Sequence, residues 1–100
     1  MNFEGLPVVI KEGTRRDHDI MIFALSTCGF CKRALSFLDA NGFAYRYLYV
    51  DLIPLEIKNA IKQELKERFH ESVAFPFAVI DNEHHLVGFI EADWRLTLGV

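Results

Sequence analysis

Residues 20–25 read IMIFAL, six apolar residues in a row. The run is far too short for a membrane helix, which needs about 20 residues. It is short and β-rich, so a strand buried on both faces fits best. A strand that is apolar on both sides needs a packed layer above it and another below. The rest of the chain contains segments able to supply those layers. Immediately after the run, Ser26 or Thr27 is placed to cap a helix. Phe30, Ala34, Leu35, Phe37 and Leu38 then recur at helical spacing, and Gly42 marks a stop. Residues 43–50 are rich in aromatics and read as a second strand. Residues 51–54, ending in Pro54, turn the chain into a second helix, on which Ile57, Ala60, Ile61, Leu65 and Phe69 form an apolar stripe.

Residues 77–80 predict a third strand. The polar link at 81–84 is too short for anything but antiparallel pairing, so residues 85–90 form the other arm of a hairpin. Residues 91–98 predict a short terminal helix with Trp94 and Leu98 facing inward. Near the start, residues 6–11 contain Val8, Val9 and Ile10 and suit an edge strand; residues 12–19, with Gly13, read as a turn. The order β-α-β-α-β-β-α opens with a right-handed β-α-β unit. The expected class is therefore α/β, with a mixed four-stranded sheet, a possible extra N-terminal strand and three flanking helices.

The chain has 100 residues, which suits one domain over 1–100, with 1–19 as an N-terminal extension or edge strand. Hydrophobic residues make up 51%, enough for a core. Net charge is −3 and no basic stripe stands out, which argues against nucleic acid as a partner. In KQELKER, from Lys62 to Arg68, basic and acidic residues interleave as on a solvated helix face. Residues 1–7 lack the positive start and apolar run of a signal peptide. The longest apolar run, 73–80, contains Pro76. No membrane association and a cytoplasmic location are expected.

The chain has two cysteines, Cys28 and Cys31, and they follow the buried strand where the first helix begins. In a reducing compartment such a pair is more often catalytic or metal-binding than structural. The carboxyl ends of strands in open α/β sheets are where ligands bind. A helix start offers unpaired N–H groups and a partial positive charge, and both stabilise a thiolate. Cys28 is thus placed to attack a disulfide, and Cys31, one turn deeper, to resolve the mixed disulfide. Gly29 allows close approach, and Lys32 and Arg33 add positive potential. A structural zinc site wants four ligands, and His84 and His85, adjacent on a strand, point to opposite faces. A permanent disulfide would close a tiny loop and stabilise little. His18, His70, His84 and His85 read as solvated surface residues; Phe37, Phe43, Tyr45, Tyr47 and Trp94 read as core. No metal is expected.

With Cys28-Gly29-Phe30-Cys31 after the strand, Phe75-Pro76 before the next strand, and Val87-Gly88-Phe89 followed by Glu91-Ala92-Asp93, the sequence resembles the glutaredoxins. These form a branch of the thioredoxin-like superfamily. The resemblance runs from about residue 20 to the C-terminus. It implies a thioredoxin-like fold and a thiol-disulfide oxidoreductase that reduces protein or glutathione mixed disulfides. It implies a cis bond at Pro76 beside the cysteines. It also implies that the Phe75 backbone pairs with an extended substrate, that Gly88 admits close backbone approach, and that the following turn holds the γ-glutamyl end of glutathione. Gly29, Phe30, Phe75, Pro76, Gly88 and Phe89 are the implied substrate-binding residues.

Three positions depart from the family pattern. Leu25 stands where many glutaredoxins carry a lysine, the usual Thr-Val-Pro is Ala74-Phe75-Pro76, and the paired glycine is Gly88-Phe89. The last feature is similar to the redoxins that serve ribonucleotide reductase and are recharged by thioredoxin reductase. The expected partners are therefore disulfide-containing proteins and either glutathione or thioredoxin reductase, acting on a monomer. An alternative is iron–sulfur cluster binding across a glutaredoxin-type dimer, because Cys-Gly-Phe-Cys is similar to the Cys-Gly-Phe-Ser of single-cysteine members.

Overall fold

The structure is a computed structural model and describes residues 2–100. In chain order it contains β1 (Val9–Lys11), β2 (Ile20–Ala24), α1 (Gly29–Ala40), β3 (Tyr45–Tyr49), a 3-10 turn (Val50–Leu52), α2 (Leu55–Phe69), β4 (Phe77–Ile80), β5 (His84–Val87) and α3 (Glu91–Leu98). The strands form one sheet in the order β1-β3-β2-β4-β5. β2 and β3 are parallel; β1, β4 and β5 pair antiparallel with their neighbours. The sheet has five strands rather than four, because the N-terminal edge strand does form. It is shorter than residues 6–11, however. Leu6 and Val8 instead pack with Phe3 on the core beneath α2, and the Phe3 ring lies 5.9 Å from that of Phe23.

β2 lies at the centre, and all five of its residues are buried. Successive side chains point to opposite faces. Ile20, Ile22 and Ala24 therefore join one core with Ala34, Leu35, Phe37 and Leu38 of α1 and Trp94 and Leu98 of α3. Met21 and Phe23 join another with Ile61 and Leu65 of α2. Each buried Ile, Leu, Phe or Met among them contributes about 1.5–3 kcal/mol. On α2 the expected stripe is narrower than its spacing suggests. Ala60 is exposed and Ile57 half-buried, since this helix covers its face alone and its flanks meet water.

The β4–β5 turn places Asp81 and Asn82 at φ 54° and 59°. Asp and Asn tolerate this left-handed region better than other non-glycine residues. β5 ends at Val87 instead of continuing to residue 90, because Gly88 adopts φ 73° and turns the chain. Gly13 has a role beyond making a turn. A Cβ there would lie 2.4 Å from the Phe43 carbonyl carbon and 2.6 Å from the Ala44 nitrogen. This close crossing accompanies the hydrogen bonds that tie Arg15 to Gly42 and Ala44, at 2.9 and 2.8 Å.

Two of the four histidines differ from the solvated reading. His85 is half-buried between the Phe69 and Phe77 rings, at 4.8 and 5.8 Å, and pairs with Glu71. His18 is half-buried with Nδ1 2.8 Å from Asp81 Oδ2. Asp81 also accepts the Asp19 N–H at 2.8 Å and donates its own N–H to the Asp19 carbonyl at 2.7 Å. The hairpin is thereby fastened to the start of β2. The hydrogen bond that His18 donates to the Asp81 carboxylate holds the imidazole above its ordinary range. In return His18 first, then the Asp19 N–H, hold the Asp81 carboxyl below its own.

The His18 contribution is complete below the unfolded histidine value, about 6.5, and fades as pH rises through the raised folded value. The Asp81 contribution is present above the unfolded carboxyl value, about 4, and fades as pH falls through the lowered one. The thermal-unfolding gap between wild type and His18→Gln is therefore widest near pH 5, and narrows towards pH 8 and towards pH 3. Gly13→Ala forces backbone apart in a packed region and lowers stability by about 1–3 kcal/mol, measured by denaturant unfolding.

Candidate active site

Cys28 is the N-cap residue of α1, with extended backbone at φ −94° and ψ 119°. Its Sγ accepts the Cys31 N–H at 3.2 Å. Capping therefore falls to the cysteine, not to Ser26 or Thr27. Ser26 is engaged elsewhere. Its N–H and Oγ both donate to the Asp51 carboxylate, at 2.9 and 2.5 Å. These bonds hold the Asp51 carboxyl below its usual range, the Ser26 hydroxyl contributing most. They also clasp the loop before Cys28 to the 3-10 turn after β3. Within the loop the Cys28 N–H donates to the Leu25 carbonyl at 3.2 Å, and the first helical bond runs from Lys32 N–H to the Cys28 carbonyl at 3.1 Å.

The two thiols have different surroundings. Both are free, Cys28 half-buried and Cys31 fully buried. Cys31 Sγ lies 3.5 Å from the Leu25 N–H, which donates to it. Burial, then the hydrogen bond with Cys28, pushes the Cys31 thiol up to about 12. Tyr49, on the same sheet face, packs against that core, and its phenol is raised mainly by burial, with Tyr47, Cys31 and Asp51 adding to the effect.

The peptide bond between Phe75 and Pro76 is cis. The Phe75 carbonyl oxygen lies 4.0 Å from Cys28 Sγ, so this turn stands beside the cysteine. The Pro76 carbonyl accepts the Gly88 N–H at 2.8 Å, and the Gly88 carbonyl accepts the Trp94 Nε1–H at 3.1 Å. Phe89 packs against Phe37 and Trp94 with ring centroids at 5.6 and 5.3 Å. The terminal helix thus braces residues 88–89 through Trp94. Gly29 and Gly88 both border open space; no protein atom would crowd a Cβ at either. At Gly88 the glycine requirement comes from φ 73°.

Phe30 corrects the helical stripe. It is 58% exposed, and the Arg33 guanidinium lies 5.4 Å from its ring centre. Position 30 falls on the outer side of the first turn of α1, where the next residue, Cys31, faces the core instead. Leu25 is half-buried against the α2-side core and presents no charge. Asp51 was not singled out from sequence, because its partner is 25 residues away and no local pattern marks it. Among the described residues no group of three or more His, Cys, Asp or Glu side chains is placed to hold a metal ion. Among the same residues no helix is long and apolar enough to cross a membrane.

A dithiol at a helix start beside a cis-proline, on a mixed sheet with helices on both faces, defines a thioredoxin-like redox protein. Residues 20–85 match the Glutaredoxin family model, and the chain belongs to the glutaredoxin family of thiol oxidoreductases. The glutaredoxin of Methanosarcina mazei Go1 is similar over 100% of this chain and 97% of its own, with 31% identity and a TM-score of 0.80. Methanoredoxin of Methanosarcina acetivorans is similar over 82% of this chain and 85% of its own, with 31% identity and a TM-score of 0.70. A buckwheat glutaredoxin, solved as a glutathione complex, shares the fold at 20% identity, with a TM-score of 0.65 over 83% of this chain and 72% of its own. No curated protein matches.

The contrast between the thiols is checked by alkylation. Iodoacetamide at about pH 8 labels Cys28, while Cys31 stays unlabelled until the protein is denatured, as read by mass spectrometry of peptides.

Proposed function

We propose that the protein reduces disulfides of other proteins, and mixed disulfides with glutathione, through Cys28 and Cys31. The observation that carries this reading is the unequal pair: an accessible sulfur capping α1, and a buried one 3 residues on. The Cys28 thiolate attacks one sulfur of the substrate disulfide. A bond from Cys28 to that sulfur forms, the substrate S–S bond breaks, and the released sulfur takes a proton. Cys31 then gives up its proton and attacks Cys28 Sγ. The Cys28–Cys31 disulfide forms and the second substrate sulfur leaves as a thiol. Two electrons have passed to the substrate.

Burial of Cys31 supports this order. A thiol held near 12 is a poor first attacker at neutral pH, but it is effective once a mixed disulfide lies beside it. At the helix start Cys28 Sγ accepts the Cys31 N–H, which holds it at the cap. Gly29, Phe30, Phe75, Pro76, Gly88 and Phe89 frame the approach, and the Phe75 backbone beside Cys28 suits strand-like pairing with an extended substrate. The oxidised pair is returned to dithiol by glutathione or by thioredoxin reductase. Leu25 favours the reductase, because it offers no cation to a glutathione carboxylate.

Cys28→Ser abolishes exchange with 2-hydroxyethyl disulfide, and Cys31→Ser leaves a mixed disulfide on Cys28 that is visible by intact-protein mass. Wild-type exchange in Cys28→Ser would sink the reading. In a coupled NADPH assay, thioredoxin reductase supports faster turnover than glutathione with glutathione reductase; the reverse ranking would assign recharging to glutathione.

A further inference from the structure

On the α2 side of the sheet, a cavity opens at the end of the molecule opposite the dithiol. Ile20 opens β2 and pairs with Ile80 at the end of β4, whereas the dithiol follows the other end of β2. Between these strands, the N-terminal segment and the last turn of α2, about 190 Å³ stays unfilled. Met21, Phe23 and Val79 are buried and form its floor. Phe3 forms a wall, its ring 5.9 Å from that of Phe23. The rest of the lining is polar: Asp19, Arg46, Arg68 and Asn82.

Arg46 is unusual in its place. It is the register partner of Met21 and lies two residues before Leu48, so it stands on the sheet face that carries the α2-side core. A charge on such a face needs water or a partner. Its Nη2 donates to the Asp19 carboxylate at 3.3 Å, and 40% of the side chain remains exposed. Arg68 donates to the Asn82 carbonyl, and to its Oδ1 at 2.6 Å. Both acceptors are neutral, so they orient this guanidinium without cancelling its charge. Among the described residues, two guanidiniums and one carboxylate thus border a cavity with an apolar floor. A guanidinium binds a carboxylate through paired N–H donors. An apolar cavity of about 150 Å³ takes a benzene ring, so this space suits one ring on a short stem. We propose that it binds a small arylcarboxylate, with the ring on Met21, Phe23, Val79 and Phe3 and the carboxylate at Arg46 and Arg68. A bare phosphate would leave the floor uncovered, and a neutral arene would leave the guanidiniums unmatched. The site is separate from the dithiol, so its occupancy is read without any exchange assay.

The experiment titrates phenylacetate into the full chain and follows backbone amide shifts by NMR. Saturable shifts gather at residues 19–23, 46, 68 and 79–82, with a dissociation constant on the order of 1 mM, as suits about ten non-hydrogen atoms. Phenylacetamide, of the same shape without the charge, binds about fivefold more weakly or worse, because a hydrogen bond between ions is lost. Inorganic phosphate at the same concentration leaves the amides of Met21 and Val79 unmoved. Arg68 is exposed, so Arg68→Gln keeps the wild-type spectrum elsewhere and weakens phenylacetate about fivefold. Lys32→Gln, on the helix covering the other face of the sheet, binds as wild type does. Absence of shifts at the cavity at about 10 mM phenylacetate, ten times that constant, would overturn the site. Equal affinity for the acid and the amide would do so too, as would unchanged affinity in Arg68→Gln. Matching shifts with phosphate alone would reduce the effect to general attraction of anions and overturn it equally.

Discussion

The architecture depends on a strand that water cannot reach from either side. β2 gives alternate residues to two cores, and neither core closes without it. That constraint forces helices onto both faces of the sheet. It also determines where chemistry can occur, since the interior of β2 is dry and packed. The chain meets solvent again at the end of the strand, at Leu25 and Ser26. There a helix must start, with its first N–H groups unpaired. A cysteine meets that need at the cap, its Sγ accepting the Cys31 N–H.

The site is a set of loops held in register by long-range contacts. Asp51 holds the loop before Cys28 through Ser26. The cis peptide bond at Phe75–Pro76 stands beside Cys28, and the Pro76 carbonyl holds Gly88. Trp94 of the terminal helix holds the Gly88 carbonyl in turn. Elements from positions 26, 51, 75, 88 and 94 thus meet within a few hydrogen bonds of the dithiol. Burial then separates the two sulfurs by environment, although they lie one turn apart on the same helix start.

Much of the architecture was legible because it follows from short-range rules. The run at residues 20–25 required two layers, the helical spacing after Cys28 located α1, and the short polar link at 81–84 required a hairpin. The terminal helix, with Trp94 and Leu98 inward, lay where its spacing placed it. The misreadings have a common cause. Ser26 looked like a cap because its type is right, but an acid 25 residues away took its hydrogen bonds. Phe30 looked like core because its spacing is right, but in the first turn of α1 it is the next residue, Cys31, that faces the core. His18 looked solvated because nothing near it in the chain explains it; its partner, Asp81, lies 63 residues on.

The sequence by itself determined the element order, the doubly buried strand and the position of the dithiol at a helix start. Those features arise from periodicity and from neighbours within a turn or two, where residue type decides. Only the tertiary structure decided what holds the Cys28 loop, what pairs with His18 and His85, and which apolar residues stay in water. Those depend on side chains brought together across the whole chain, and their separation in sequence carries no local signal.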